Sequence, residues 1–312
     1  MYALEIQKGT GMLPKKGILV KNLDPTTDVF QNTVRQLVER YVRTSAQSVD
    51  AVTGYDEFIE MYEMTSHLYR TEFPELWRHY IPLYNSVWRQ DLDIRLVKDN
   101  LHQDETIYHF AHGGYQSRIV NVWICLQKQF PAAFQPEELG IFIVQTGVPQ
   151  NDDIYSKLAA ENTHFNLIRP GQLVDNSRVG GPVVHLDTRK LARTQFPYFA
   201  GTAIAFNSHL LHGTQGVRTE FGKHEQGFRT TLASVWVHEC DFAKEILEMS
   251  VDGFGDLYLK GHDQKTRDQM STYFSDQCRQ HERAISAIVA LAGHHLKVSR
   301  AANLALGVDT DC

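Results

Sequence analysis

The segment NLHQDETIYHFAHGG, at residues 100–114, places three histidines and two acids within fifteen positions. The first histidine, His102, and the first acid, Asp104, are separated by one residue. On an extended segment the side chains at positions i and i+2 point to the same side, so this imidazole and this carboxylate can share one metal ion. A histidine from a distant strand would complete a set of two histidines and one carboxylate, which leaves three positions of an octahedral ion open.

A His-x-Asp triplet alone is weak support for a metal site, because about one is expected by chance in a chain with 15 histidines. A second triplet, His185 with Asp187, occurs in GGPVVHLDTR. The downstream sequence favours the first, because the strand-like run GTAIAFNSHLLHG brings His212 to a glycine turn far beyond it. The second triplet lies too near His212 to enclose a sheet-forming region, and we interpret it as structural.

A run further along could hold a carboxylate. Arg229 and Thr231 stand at i and i+2 in GFRTTLASVWVH, so a guanidinium and a hydroxyl share one face of the expected strand. A guanidinium grips a carboxylate at two points, and the hydroxyl can donate a further hydrogen bond. A metal triad beside this pair describes a site for a chelating keto-acid. Arg218 is the competing clamp, but its surroundings are turn-like, and we favour Arg229.

The order of these motifs resembles that of the Fe(II)/2-oxoglutarate-dependent oxygenases, and most closely their phytanoyl-CoA dioxygenase-like branch. The motif HQD, the run NVWICLQ and the run ending in LLHGT are similar to that branch, within about residues 93–240. The resemblance implies a double-stranded β-helix core (jelly-roll, cupin-like) with the iron at its mouth.

The resemblance also implies roles for individual residues. The iron ligands would be His102, Asp104 and His212. Arg229 would bind the distal carboxylate of 2-oxoglutarate, and Thr231 occupies a place where many relatives have a hydroxyl. The interval from His212 to Arg229 is longer than is usual in the family, which a longer hairpin would explain.

Other polar residues near these motifs have several possible roles. Asn121 and Trp123 share a face of RIVNVWICLQ; we expect Trp123 in the core, while Asn121 is a candidate contact for 2-oxoglutarate or substrate. His209 should face away from the site and pack. His109 and His112 form a His-x-x-His pair, but two glycines follow and no third zinc ligand is evident, which argues against a zinc site. Two roles are equally open: one of these histidines contacts the substrate, or both are structural.

The implied activity is that of a dioxygenase that uses Fe(II), 2-oxoglutarate and O₂ to hydroxylate an unactivated C–H bond, with succinate and CO₂ as co-products. A carboxylate at Asp104 favours oxygenation over halogenation, because related halogenases carry Gly or Ala there. The expected lid segments 54–90, 105–118 and 150–180 are rich in polar residues, which favours a small polar substrate such as an amino acid or natural-product intermediate. A metal-dependent hydrolase or isomerase with the same ligands, and a non-catalytic jelly-roll binding protein, stay open as alternatives.

The composition is that of an ordinary globular protein. The 312 residues are 42% hydrophobic and 22% charged, and the net charge of −6 argues against nucleic acid or an anionic membrane as partner. No apolar run is long enough to span a membrane, and the N-terminus lacks the apolar centre of a signal peptide. We therefore expect a cytoplasmic enzyme with a small-molecule substrate; its oligomeric state is open. The cysteines are scattered, as expected of thiols in a reducing compartment: Cys125, Cys240, Cys278 and Cys312.

The elements that position these residues follow from the hydrophobic pattern. Residues 15–24 predict a short strand, and 28–45 predict a helix with Asp28 as N-cap and Gln31 completing a capping box. More helix is expected in 54–90. A helical apolar stripe recurs in 263–297.

Between these helical regions lie short apolar or alternating runs bounded by Gly, Pro, Asn and Asp, which indicate an antiparallel sandwich or barrel. The prediction is one α+β domain over residues 1–312. Its helical N-terminal region would cover 1–92, its jelly-roll core 93–240 and its C-terminal helices 241–312.

Overall fold

The fold is described, in a computed structural model, for residues 17–42, 55–91, 100–102, 119–132, 134–135, 137–138, 140–145, 147–160, 190–208, 210–214, 227–239 and 290–300. The strands among these residues are β1 Ile18–Asn22, β2 Tyr80–Asp91, β3 Asn100–His102, β4 Ile119–Gln129, β5 Ile141–Val144, β6 Arg193–Phe196, β7 Thr202–Asn207, β8 His212–Thr214 and β9 Phe228–His238. The helices are α1 Asp28–Tyr41, α2 Tyr55–Glu72, α3 Pro74–His79, α4 Pro149–Ala160 and α5 at 290–300.

The strands form two sheets. The large sheet has the order β1-β7-β4-β9-β2 and the small sheet the order β3-β8-β5-β6. Every pairing described within them is antiparallel. From β2 onward the chain passes from sheet to sheet, except that β5 and β6 are neighbours in the small one. This is the strand order of a jelly roll. The core is a double-stranded β-helix, as the sequence predicts.

The two faces of the large sheet have different neighbours. On its outer face Val122, Leu232 and Trp236 belong to one buried cluster with the helices, which contribute Phe30, Leu37, Met61, Leu68 and Leu291. On its inner face a second cluster joins it to the small sheet: Trp123, Cys125, Ile141, Ile143, Tyr198, Ile204, Phe206 and Ala233. Full burial of a large apolar side chain stabilises the fold by about 1.5–3 kcal/mol. Because alternate residues of β4 and β9 feed the two clusters, both faces of these strands are apolar.

The cap of helix α1 lies one residue earlier than the sequence indicates. Thr27, rather than Asp28, is the N-cap, and its side-chain oxygen accepts a hydrogen bond from the Phe30 backbone N–H. Gln31 donates to the backbone carbonyl of Pro25 at 2.6 Å and so does not complete a capping box. Asp28 lies in the first turn, where its negative charge interacts favourably with the helix dipole.

The helix expected in 54–90 is confirmed as far as His79, by α2 and α3, and the remainder of the segment is a strand. Pro74 opens the short helix α3, and the chain then becomes the long strand β2, which pairs with β9. Pro82 lies at an irregularity in this pairing, and β2 is at the edge of its sheet, where proline is tolerated. The large sheet therefore contains β1, within the strand predicted over 15–24, and β2, from a segment that was expected to be helical.

Helix α5 packs on the outer layer. Leu291, Ala292 and His295 are buried, at the spacing of one helix face. This agrees with the predicted stripe at Ala292, while most of 263–297 lies outside the described residues. None of the described helices is both long enough and apolar enough to span a membrane.

Candidate metal and keto-acid site

The backbone positions of two predicted metal ligands are paired at the edge of the small sheet. Strands β3 and β8 are antiparallel, and His102 is directly opposite His212. The Cα atoms of directly opposed residues in such a pair lie about 4.5–5.5 Å apart. The register therefore brings together two backbone positions that are far apart in the chain. Asp104 lies outside the described residues.

The His212 imidazole is wholly buried and held in one orientation. Its Nδ1 is 2.9 Å from the backbone carbonyl oxygen of Leu210. A carbonyl oxygen only accepts hydrogen bonds, so Nδ1 carries the proton, and the lone pair of the neutral ring is on Nε2. Metal-binding histidines are commonly oriented in this way by a carbonyl behind them. Two aromatic rings flank the imidazole. The centre of the Trp123 ring, which is perpendicular to the imidazole, lies 5.6 Å from its centre, and the centre of the Phe206 ring lies 4.7 Å from it.

The donor chemistry of these residues fits iron. Two imidazole nitrogens and a carboxylate suit Fe(II), and the His212 tautomer directs the required lone pair away from the backbone. Within the stretches of chain that the structure describes, no three His, Cys, Asp or Glu side chains form a group able to hold a metal. A third ligand would therefore lie outside these stretches, and Asp104 stays a prediction.

The Arg229 side chain is wholly buried inside the β-helix. One of its terminal nitrogens, Nη2, donates hydrogen bonds to Gln90 Oε1 and to Thr214 Oγ1, the latter at 3.3 Å. The guanidinium carbon lies 5.5 Å from the centre of the Tyr198 ring. Burial lowers the pKa of Arg229 below its ordinary value, because desolvation disfavours the charged form. A ligand anion beside the guanidinium would stabilise the charged form.

Thr214 connects the guanidinium to the histidine strand. It stands two residues after His212 on β8, so the two side chains point to the same face. At about 3.3 Å per residue, their Cα atoms are about 7 Å apart. The bond from Arg229 to Thr214 therefore places a cation on the same inner face as the imidazole, at a separation that a small dicarboxylate can bridge.

Thr231 lies on the same inner face. Its hydroxyl oxygen accepts a hydrogen bond from the Tyr198 hydroxyl at 3.4 Å, and both side chains are wholly buried. Tyr198 precedes a tight turn in which the Phe199 backbone N–H donates to Thr202 Oγ1 at 3.1 Å. Gly201 completes the turn with a φ of 88°, in the left-handed region that favours glycine. The turn places Tyr198 beside Arg229 and Thr231.

Asn121 is also buried, but the register separates it from Arg229. On β4, Asn121 is opposite Val235 of β9, whereas Arg229 is opposite Lys128. Val235 is six positions along β9 from Arg229, which corresponds to about 20 Å of strand. Asn121 is two residues from Trp123, whose ring contacts His212. It therefore lies toward the histidine end of the site, distant from the guanidinium.

Sequence reasoning missed Gln90, Thr214 and Tyr198. Gln90 stands in a segment interpreted as helix, so its pairing with β9 was not foreseen. The hydroxyl of Thr214 was within the motif LLHGT, and the i and i+2 rule applied to His212 would have found it. Tyr198 stands beside a turn bounded by Pro197 and Gly201 and belongs to none of the motifs. The remaining candidates lie outside the described residues: His109, His112, His185, Asp187, His209 and Arg218.

Comparison with known proteins gives similar structures only. No protein family model matches the chain, and no curated protein sequence matches it. The solved structure of the non-heme alpha ketoglutarate dependent epimerase SnoN from nogalamycin biosynthesis has 13% identity and a TM-score of 0.41, covering 72% of this chain and 79% of that one.

Two further structures have similar values. The non-heme alpha ketoglutarate dependent carbocyclase SnoK, also from nogalamycin biosynthesis, has 11% identity and a TM-score of 0.41, over 72% of this chain and 80% of that one. EctD from S. alaskensis with bound Fe has 12% identity and a TM-score of 0.38, over 72% and 73%. Likeness at this level assigns no activity, and the fold assignment depends on the strand order.

Proposed function

We propose that this chain is a non-haem Fe(II)/2-oxoglutarate-dependent dioxygenase of the phytanoyl-CoA dioxygenase-like branch. Its reaction would be hydroxylation of a C–H bond in a small polar substrate, such as an amino acid or natural-product intermediate. The observation that carries the proposal is one continuous arrangement. His102 is opposite His212, and the strand that begins at His212 is hydrogen-bonded, through Thr214, to the buried guanidinium of Arg229.

The iron would be held by His102, Asp104 and His212. When bound, Fe(II) with 2-oxoglutarate and O₂ supplies oxidative decarboxylation to succinate and CO₂, coupled to hydroxylation of the substrate. The hydrogen bond from Nδ1 of His212 to the Leu210 carbonyl fixes the ring before the metal arrives. Trp123 and Phe206 exclude water from around the ring. These contacts reduce the ordering that metal binding requires.

The keto-acid would be oriented by Arg229. A buried guanidinium binds a carboxylate more strongly than an exposed one, because water no longer screens the charges. Thr231 and Tyr198 offer hydroxyl groups at the same end of the site. Asn121, at the histidine end, is proposed to contact either the chelating end of the keto-acid or the substrate. Fixing the co-substrate at both ends determines its orientation.

The function is tested by anaerobic titration followed by a product screen. Protein with Fe(II) and 2-oxoglutarate should develop the weak visible absorption of a chelated keto-acid, and Asp104→Ala should weaken iron binding. Screening amino acids, peptides and small metabolites should then reveal substrate-dependent succinate. Absence of both the absorption and succinate would refute the proposal.

The same experiment separates the two alternatives. If the chain is a metal-dependent hydrolase or isomerase, it should bind metal, and its affinity for 2-oxoglutarate should be no higher than that of the Arg229→Gln variant. A non-catalytic binding protein would contain no stoichiometric iron after purification without air. Either outcome would replace the dioxygenase assignment.

A further inference from the structure

The amide of Gln90 is in direct contact with the buried guanidinium. Gln90 on β2 is opposite Arg229 in the antiparallel β2–β9 pairing, and its Oε1 accepts a hydrogen bond from Arg229 Nη2. Thr214 Oγ1 accepts from the same nitrogen at 3.3 Å. The two acceptors belong to different sheets. Together they fix the plane of the guanidinium with respect to both layers of the β-helix.

We propose that Gln90 is a positioning residue for the Arg229 clamp. Its neutral oxygen orients the guanidinium, and the positive charge is thereby kept for the distal carboxylate of a dicarboxylic keto-acid. This inference rests on the proposed function. It adds a determinant on the edge strand β2 that decides which keto-acids bind.

The chemistry of the acceptor carries the argument. A carboxylate at residue 90 would form a charge-assisted, two-point pair with Arg229 and would compete with the ligand for it. An amide oxygen orients the same nitrogen and adds no negative charge beside the guanidinium. Gln90→Glu therefore differs from the wild type in charge, at almost unchanged size.

The position of Gln90 predicts selectivity for one end of the co-substrate. Gln90 acts through Arg229, and Arg229 acts on the distal carboxylate. A keto-acid that lacks this group, such as pyruvate, retains the keto oxygen and the neighbouring carboxylate that chelate the metal. Changes at residue 90 should therefore weaken 2-oxoglutarate binding and spare pyruvate binding.

The chain offers a matched control in Gln127. It lies on β4, the other neighbour of β9, and is opposite Thr230. Its Oε1 is 3.5 Å from Thr230 Oγ1. Because Thr230 follows Arg229 directly, its side chain points to the other face of the sheet. Gln127→Glu and Gln127→Leu repeat both substitutions in the same sheet, away from the guanidinium.

The test measures dissociation constants by calorimetry on the full chain loaded with Mn(II), which replaces Fe(II) without oxidation. We expect Gln90→Glu to raise the constant for 2-oxoglutarate about 30-fold, and Gln90→Leu about 5-fold. The constants for Mn(II) and pyruvate should stay within about twofold, as should every constant of the Gln127 variants. In an Arg229→Gln background, Gln90→Glu should have no further effect.

The inference is overturned if Gln90→Glu binds 2-oxoglutarate like the wild type, or loses pyruvate binding equally. If Gln90→Glu does not fold, as judged by its melting temperature, Gln90→Leu decides by the same comparison. Failure of the proposed function looks different, since wild-type protein would then bind no 2-oxoglutarate at all. If the wild type binds it and Arg229→Gln does not, only the role of Gln90 is in question.

Discussion

At the scale of single residues, two buried groups determine the chemistry that the interior can perform. His212 presents one tautomer because a backbone carbonyl fixes its Nδ1 proton. Arg229 brings a guanidinium into a wholly buried position, where desolvation opposes its charge. Apolar side chains of similar size at these positions would avoid the desolvation that burial of a polar or charged group costs. Function accounts for both more simply than stability does.

Arg229→Met tests this distinction. The substitution removes the charge and keeps an unbranched side chain in the interior, so the desolvation penalty disappears together with the hydrogen bonds to Gln90 and Thr214. We expect the free energy of unfolding to change by no more than about 1 kcal/mol in either direction. Binding of 2-oxoglutarate, measured by calorimetry, should be lost. A large loss of stability with retained binding would show that Arg229 is structural.

At the scale of elements, the sequence predicted those strands whose motifs carry chemistry. Arg229 and Thr231 were predicted to lie on a strand and to share one of its faces, because the side chains of a strand repeat every two residues, and both lie on β9. The strand β2 was missed, because both of its faces are covered and no polar–apolar alternation marks it. Gln90 was missed with it. Pairing partners are set by tertiary packing, which local sequence patterns do not encode.

The outer layer contains a buried histidine that should make stability depend on pH. His295 of α5 has its Nδ1 2.8 Å from the Tyr62 hydroxyl, and the edge of its ring contacts Trp77 and Trp236. Burial lowers the pKa of His295 to about 4, against the hydrogen bonds it makes to the Tyr80 and Trp77 backbone. The folded state therefore holds the neutral ring.

The sign of the dependence follows from proton linkage. Between the unfolded pKa of 6.5 and the folded pKa of about 4, the unfolded chain binds the additional proton. This contribution to stability is complete above the upper value and is lost as the pH falls through this range. From pH 7 to 5 the free energy of unfolding should fall by about 2 kcal/mol.

Denaturant unfolding of wild-type and His295→Gln protein at the two pH values measures this contribution. In His295→Gln the free energy of unfolding should fall by about 2 kcal/mol less between pH 7 and 5 than in the wild type. His294→Gln, on the same helix, should show the wild-type fall. If the free energy of unfolding of His295→Gln depends on pH as that of the wild type does, the ring of His295 is not buried as a neutral group.

At the scale of the whole molecule, two sheets bring together segments that are remote in the chain. The site uses β3 and β8 of the small sheet and β2, β4 and β9 of the large one. The short apolar runs predicted an antiparallel sandwich or barrel, and the resemblance to the oxygenase family implied the jelly roll that is found. The sequence could not predict the register of β3 on β8, which long-range pairing sets.

The most direct test of the central claim is a crystal structure of the protein grown with Mn(II) and 2-oxoglutarate. It should show one metal ion bound by the imidazoles of His102 and His212 and by the Asp104 carboxylate, with the distal carboxylate of the keto-acid on Arg229. A metal ion bound elsewhere, or a keto-acid whose distal carboxylate does not contact Arg229, would contradict the account.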